Sequence, residues 1–253
     1  MTQIKTACGI PVNHVLAGDA DKAREITELA IASRPFSDWL EKLDRARFDV
    51  RSVTIQSVDM FGPRVGFIKF KADVYDSNGK FLPGIVVMRG GSVAMVTVLV
   101  CEGRRYAVVV IQPRLPTASF EFVELPAGML DGSGNFGGVA AKEMEEELGL
   151  KISENDLIDL GELAGFKDGA YVSPGITDEC IRFFAYTKAV TKAELQELKG
   201  RTTGVIDEGE QITVTVVPFH KLARVADLKT LAGYWLYKQH VTARPRKTRR
   251  KGA

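Results

Sequence analysis

The sequence predicts an α/β fold in which helices cover a mixed sheet, with a smaller β-rich part ahead of it. Strand-like apolar alternation fills most of residues 50–112, and helix-like periodicity then leads up to Gly149. Two further strand-like runs and a closing helix-like stretch follow, which is the alternation typical of layered α/β domains. Apolar residues form 45% of the 253-residue chain, so a sizeable core is expected.

The N-terminal part is expected to combine two helices with a small sheet. Residues 1–20 show no clear period and are predicted to be irregular. The elements expected after them are two helices over about 21–47 that separate at Pro35, a first long strand at 64–75, a turn at 77–79 and a second strand at 85–88.

The larger part is expected to begin at residue 92. Its predicted elements are strands at 93–101 and 106–112, a glutamate-rich helix that ends at Gly149, strands at 180–187 and 212–218, and a last helix at about 222–240. The chain is therefore expected to divide into an N-terminal segment (1–48), a small β-sheet domain (49–91), a larger α/β domain (92–240) and a basic tail (241–253).

A glutamate cluster beside a glycine turn is the most informative feature of the chain. Residues 125–150 have the sequence LPAGMLDGSGNFGGVAAKEMEEELGL, and on a 3.6-residue helix Glu143, Glu146 and Glu147 occupy neighbouring positions. Three carboxylates this close repel one another unless a cation lies among them, and such oxygen ligands suit Mg²⁺ or Mn²⁺. The charge pattern by itself also fits a solvated acidic helix face.

The spacing of this stretch resembles the Nudix box, G-x5-E-x7-R-E-U-x-E-E-x-G-U with U apolar, the signature of hydrolases that split nucleoside diphosphates linked to another group. The match opens at Gly128 and resumes from Glu143 onward. It departs at Gly134 and Lys142, which replace a Glu and an Arg of the pattern. Lys142 supplies the charge of the arginine without its bidentate fork. The resemblance implies a Nudix α/β/α sandwich over residues 92–240.

The same resemblance assigns roles within the box. It implies Mg²⁺ as the cofactor, with Mn²⁺ as an alternative, held by Glu143, Glu146, Glu147 and the backbone carbonyl of Ala127. Metal ions bound there would bridge the diphosphate and activate water, so Glu147 also counts as a catalytic residue. Gly128 is expected to contact the substrate.

A second run of matched residues lies ahead of the box. Gln112-Pro113-Arg114 and then Glu124-Leu125-Pro126-Ala127-Gly128 resemble the Q-x-R-x-P and E-L-P-A-G runs of Nudix enzymes that cleave ADP-ribose and related ADP-sugars. The resemblance implies that Arg114 binds the diphosphate, for which a planar cation is well shaped. It also implies that Glu124 lies near the site and orients substrate or metal.

Two further segments downstream of the box resemble parts of the same enzymes. Ser173-Pro174-Gly175 resembles a segment associated with ADP-sugar specificity, although Pro-Gly also makes an ordinary turn. Glu208 and Glu210 resemble an E-x-E pair carried on a loop. The resemblance implies that Glu208 is the general base and Glu210 an additional metal ligand. The pair also fits a charged hairpin tip.

The resemblance extends to the plant ADP-sugar diphosphatases of this family and covers about residues 35–240. The runs that carry it are VDMFG at 58–62, GFIKFKA at 66–72, PGI at 83–85 and Arg89-Gly90. It implies hydrolysis of ADP-glucose or ADP-ribose to AMP and a sugar phosphate, a homodimer formed through the N-terminal domain, and substrate contacts from Arg89. Phe67 is the candidate for stacking on adenine, although a phenylalanine in a strand is more often a core residue.

The sequence leaves two alternative functions open. One is an enzyme that cleaves UDP-sugars or other nucleoside diphosphate derivatives. The other is a non-catalytic Nudix-fold module that binds nucleotides, which the departures at Gly134 and Lys142 favour.

Composition restricts the partners and the compartment. No apolar run approaches membrane-spanning length, and three widely spaced cysteines fit a reducing compartment better than a disulfide framework. Residues 244–251 hold six basic residues and no acid, so the net charge of +2 hides a slightly acidic body that does not suit nucleic acid. The tail itself could contact nucleic acid, direct nuclear import or stay disordered. The N-terminus matches no secretory or transit peptide, so a cytoplasmic location is expected, with the nucleus as the alternative.

Overall fold

The computed structural model describes residues 4–130, 136–148, 152–203 and 212–242, and of residues 143–148 it describes the backbone alone. The chain divides into two units by its internal contacts. The first is Met1–Gly91 with Tyr171–Cys180, and the second is Ser92–Ala170 with Ile181–Ala253. The four-part division expected from the sequence stays a prediction.

The described residues of the first unit form two helices and one sheet. Its elements are β1 (Ile4–Lys5), β2 (Pro11–His14), α1 (Ala20–Ala32), α2 (Arg34–Lys42), β3 (Phe48–Phe61), β4 (Arg64–Asp76), β5 (Phe81–Leu82) and β6 (Ile85–Met88). Within the described residues the strand order is β1-β2-β3-β4-β5, and β6 also pairs with β4.

The helices of the first unit begin where their capping residues predict. Asp19 caps α1 by accepting from the backbone N–H groups of Asp21 and Lys22. Pro35 lies in the first turn of α2, where its missing N–H needs no partner, so the break predicted at this proline is confirmed. Phe36 of α2 is buried against Phe70 of β4, with ring centroids 5.6 Å apart.

The second unit carries the glutamate-rich helix. Its strands are β7 (Ser92–Cys101), β8 (Arg104–Arg114), β9 (Ser119–Glu124), β10 (Ala127–Met129), β11 (Ile158–Asp159), β12 (Ala170–Tyr171), β13 (Cys180–Ala189), β14 (Arg201–Thr203) and β15 (Ile212–Pro218). Its α-helices are α3 (Phe136–Leu148), α4 (Leu160–Ala164), α5 (Lys192–Glu197) and α6 (Leu228–Tyr237). Short 3-10 helices lie at Leu115–Thr117, Glu154–Asp156 and Phe219–Arg224, and a π-helix at Lys238–Thr242 follows α6.

The sheet of the second unit is mixed and is covered on both faces. β7 pairs parallel with β13 and antiparallel with β8. Alternate residues of β7 point to opposite faces: Met95 packs in one core cluster with Val139 of α3. On the other face, a Cβ on Gly233 of α6 would come within 2.9 Å of Val96, so the missing side chain allows α6 to approach closely. The predicted α/β/α sandwich is confirmed.

Three predictions about individual elements are wrong. Residues 1–20 are not irregular throughout, because β1 and β2 lie within them and β2 pairs parallel with β3. The first long strand is β3, at Phe48–Phe61, and the strand predicted at 64–75 is the second. The last helix begins at Leu228, because Asp227 caps it by accepting from the backbone N–H of Thr230. Helices α4 and α5 were not predicted.

In the described part of the chain, none of the helices has the length and apolar character needed to cross a membrane.

The close packing at Gly84 makes a testable prediction for the first unit. A Cβ at this residue would lie 2.2 Å from the backbone oxygen of Ala72, and the same two residues share a hydrogen bond of 2.7 Å. We expect Gly84→Ala to lower the free energy of unfolding by about 1–3 kcal/mol, because rigid backbone must move. Urea denaturation followed by tryptophan fluorescence, to which Trp39 packed on Phe70 contributes, measures the effect.

The matched control is Gly175→Ala in the same unit. Nothing lies within 4 Å of a Cβ built there, and the φ of Gly175 is not positive. We expect the control to be neutral within about 0.5 kcal/mol. Equal midpoints for the two variants would contradict the packing described at Gly84.

Candidate active site

The ends of β8 and β9 bring two of the predicted site residues together. Pro113 cannot donate to a strand ladder, and the β8–β9 register shifts between Gln112 and Arg114. Arg114 therefore ends its strand at an irregularity, and β9 returns alongside it to Glu124. The Arg114 Nε donates to Glu124 Oε1 at 2.7 Å. The structure therefore brings the two residues together, and their role in one site stays a prediction.

Glu124 is a buried carboxylate that has two cationic partners in the part of the chain that the structure describes. Its side chain is 3% exposed, whereas that of Arg114 is 41% exposed. The second partner is Lys229 near the start of α6, whose Nζ donates to Oε2 and whose side chain is 12% exposed. A buried charge is costly unless it is paired and hydrogen-bonded, and each oxygen of Glu124 meets one cation.

The start of α6 extends this network to the backbone beyond Glu124. Asp227 Oδ2 accepts from the backbone N–H of Thr230 at 3.0 Å and from its hydroxyl at 2.6 Å, and it lies 3.2 Å from Lys229 Nζ. The Thr230 oxygen in turn accepts from the backbone N–H of Leu125 at 3.0 Å. The cap of α6 thus holds the segment that leads into Ala127.

The backbone of that segment is fixed by the central strand β7. The carbonyl of Pro126 accepts from the N–H of Met95 at 2.9 Å, and β10 pairs antiparallel with β7 so that Ala127 opposes Ala94 and Gly128 opposes Val93. Helix α3 packs on both β10 and β7. The strand with Ala127 and Gly128 and the helix with the box glutamates are therefore neighbours.

The remaining residues predicted to bind metal or act as the base lie outside what the structure describes. Positions 143, 146 and 147 fall within helix α3, as predicted, but their side chains are outside the description. Gly134, Glu208, Glu210 and the basic tail from residue 243 also lie outside the described residues. Among described residues, no group of three or more His, Cys, Asp or Glu side chains could hold a metal ion.

Arg89 contacts Asp178 and Glu179, which follow Ser173-Pro174-Gly175 closely in the sequence and belong to the same unit. The Asp178 carboxylate accepts from the backbone N–H groups of Arg89 and Gly90, at 2.8 Å and 3.1 Å. Arg89 Nη1 lies 3.2 Å from Glu179 Oε1, and its buried Nε has no hydrogen-bond partner among the described atoms. Asp178 and Glu179 therefore fix both the backbone and the side chain at Arg89.

Phe67 lies on β4 in the first unit, on the face opposite the core. Its strand neighbours Gly66 and Ile68 are buried, whereas Phe67 is half-buried. Its ring packs edge-on against Phe61, with centroids 5.1 Å apart. It is therefore not one of the buried core phenylalanines.

Sequence reasoning missed the contribution of α6. Lys229, Asp227 and Thr230 match no catalytic motif, and they stand more than 100 residues from Glu124. One signal was present: Asp227 three residues before Thr230 is a typical N-cap arrangement, which would have placed the helix start correctly.

Comparison with known proteins identifies the family. A model of the NUDIX domain matches residues 88–237, more than half of the chain. The chain belongs to the NUDIX family. It is 41% identical over 220 residues to Nudix hydrolase 14, chloroplastic, of Arabidopsis thaliana, and the match covers 82% of this chain and 71% of that protein. A solved structure described as an ADP compounds hydrolase shares 15% identity with a TM-score of 0.48, over 76% of this chain and 95% of that chain.

Membership of the family has two general consequences. The chain is a Nudix hydrolase, so an enzyme is favoured over the non-catalytic module considered above. Hydrolases of this family generally use divalent metals such as Mg²⁺. The hard oxygen donors predicted for α3 and the carbonyl of Ala127 suit such an ion.

The buried pairing of Glu124 makes a prediction about stability. Glu124→Gln leaves Lys229 and Arg114 without their shared counter-charge, so the free energy of unfolding should fall by about 3 kcal/mol. Glu121→Gln, at an exposed position of the same strand, should change it by less than about 0.5 kcal/mol. Thermal and urea unfolding of both variants provide the measurement, and similar stabilities would show that the paired charges are not needed for folding.

Proposed function

We propose that this Nudix hydrolase cleaves the diphosphate bond of ADP-sugars, with ADP-glucose and ADP-ribose as substrates, and releases AMP and a sugar phosphate. The observation that carries the proposal is Arg114, a half-exposed guanidinium held by a buried carboxylate directly ahead of the box segment. A planar cation fixed in this way suits a diphosphate. Gly128 on β10 is the proposed backbone contact to the same group.

Glu124 acts in this proposal on Arg114 and not on the metal. Both of its oxygens already accept from cations of the protein. Of the two roles expected from the sequence, orienting the substrate or the metal, the contacts therefore support orientation of the substrate through Arg114. The guanidinium is held ready before substrate arrives, which lowers the entropic cost of binding.

The divalent ion is proposed to be Mg²⁺, with Mn²⁺ as the alternative. Glu143, Glu146, Glu147, Glu210 and the carbonyl of Ala127 are the residues that would hold it. When bound, such an ion polarises a phosphoryl oxygen and makes a coordinated water more acidic. Glu208 is the proposed general base, which accepts a proton as water attacks phosphorus.

The first unit is proposed to supply two further substrate contacts and the subunit interface. Arg89, held by Glu179, is the proposed second cation, and Phe67, which lies outside the core, is the proposed surface for adenine. A homodimer through this unit stays a prediction, which sedimentation of the purified protein tests. A cytoplasmic location, with nuclear entry or nucleic-acid contact through the basic tail, also stays a prediction.

The substrate is tested by AMP release from ADP-glucose and ADP-ribose, with UDP-glucose tested in parallel for UMP. We expect AMP from both ADP-sugars with Mg²⁺ or Mn²⁺ and none with a chelator, because the acidic box requires a divalent ion. The ratio of kcat/KM values then identifies the better substrate. Preferential turnover of UDP-glucose would favour the alternative nucleotide, and binding without turnover would contradict the proposed reaction.

The metal site is tested by a pair of variants on helix α3. Glu147→Gln removes a proposed metal ligand, and we expect kcat to fall by roughly 100-fold or more, since the ion contributes several kcal/mol to the transition state. Glu145→Gln makes the same chemical change at a position that the box pattern leaves unspecified, and it should retain activity within about threefold. Equal turnover by the two variants, each shown to be folded, would exclude the proposed role of Glu147.

A further inference from the structure

Glu124 and its two cationic partners, Lys229 and Arg114, differ in how far their side chains are exposed to solvent. The carboxylate is buried, Lys229 is nearly so, and Arg114 is half exposed. Arg114 is therefore the member of this group that a ligand can reach. Lys229 is in contact with Glu124, so it can act on Arg114 through that carboxylate.

Lys229 changes the way in which Glu124 holds the guanidinium. An arginine and a carboxylate commonly pair through two parallel hydrogen bonds that use both oxygens. Here Oε2 accepts from Lys229, and the bond from Arg114 to Oε1 comes from Nε. Arg114 is thus held through its Nε–H group, and this bond does not use the N–H groups of the two Nη atoms.

The position of Lys229 is fixed by the start of its helix. It is the second residue of α6, and its Nζ also lies 3.2 Å from the Asp227 carboxylate that caps the helix. The charge of Asp227 is shared with backbone and hydroxyl donors of Thr230 at the positive end of the helix. Lys229 therefore remains a counter-ion for Glu124.

We propose that Lys229 is a positioning residue for Arg114: by holding the second oxygen of Glu124, it keeps the guanidinium attached by one edge and its Nη groups directed to the substrate diphosphate. The inference rests on the proposed function, in which Arg114 binds that diphosphate. Without Lys229, Oε2 becomes open to a second hydrogen bond from Arg114. The buried carboxylate would then compete with the substrate for the same donors.

The test is the kinetics of Lys229→Met beside two companions. We expect the KM for the better ADP-sugar to rise roughly tenfold, the effect of weakening one charged hydrogen bond, with kcat within about twofold. Lys229→Arg should restore most of the affinity because it restores the cation. Lys221→Met, an exposed lysine in the 3-10 helix before α6, should behave like the wild type. If Lys229→Met folds poorly, Lys229→Leu, which also has no donor for Oε2, provides the same readout.

A purely structural role predicts a different result. The melting temperature would fall while KM and kcat stayed unchanged, and this outcome would overturn the inference. The background of Arg114→Ala gives a second check: a substitution of Lys229 should raise KM no further there, because Arg114 is the group through which it acts. An equal rise in both backgrounds would place the effect of Lys229 elsewhere and reject the proposal.

The proposed function and this inference can fail separately. A wild-type protein that releases no AMP from any ADP-sugar would overturn the proposed function. The binding of inorganic pyrophosphate, measured by calorimetry without metal, then decides the inference. Weaker binding by Lys229→Met than by Lys221→Met supports it. Equal binding, or no binding by the wild type, overturns it.

Discussion

A buried carboxylate sets the constraint on which the arrangement of the second unit depends. Glu124 is removed from water, and an unpaired charge in such a place would destabilise the fold. The fold meets this requirement with one cation from β8 and one from α6. Pairing with both neighbours therefore stabilises β9 in this position, which couples the candidate site to the assembly of the sheet and its covering helix.

The first turns of α6 contribute to side-chain packing as well as to the ion pairs of Glu124. The Thr230 hydroxyl donates to Asp227 and accepts from Leu125, so its orientation is determined at both ends. One turn later, Gly233 has no side chain where Leu125 and Val96 come close. A larger residue there would push α6 outward and lengthen the contact between Lys229 and Glu124. The close packing at Gly233 and the ion pair between Lys229 and Glu124 thus require the same position of α6.

The sequence could predict what depends on neighbouring residues. Strand periodicity located β6 and β15, and the box spacing located α3, because these signals are contained within short windows. Arg114 and Glu124 could be recognised as candidates for the same reason. Their pairing with Lys229 could not, since it joins residues over 100 positions apart and depends on how α6 lies on the sheet. The parallel pairing of β2 with β3 escaped prediction for a similar reason, because a four-residue strand becomes evident only beside its partner.

The distribution of charge also explains why an arginine suits position 114 despite the buried acid beside it. A single carboxylate facing a single guanidinium would neutralise it and occupy its donors, which leaves little attraction for a diphosphate. A second cation behind the carboxylate changes this balance, because it takes up part of the negative charge and one of the two acceptor oxygens. The acid then serves to orient the arginine more than to neutralise it. The cost of ordering and partly desolvating the guanidinium is met when the protein folds, so the substrate meets a donor that is already in place.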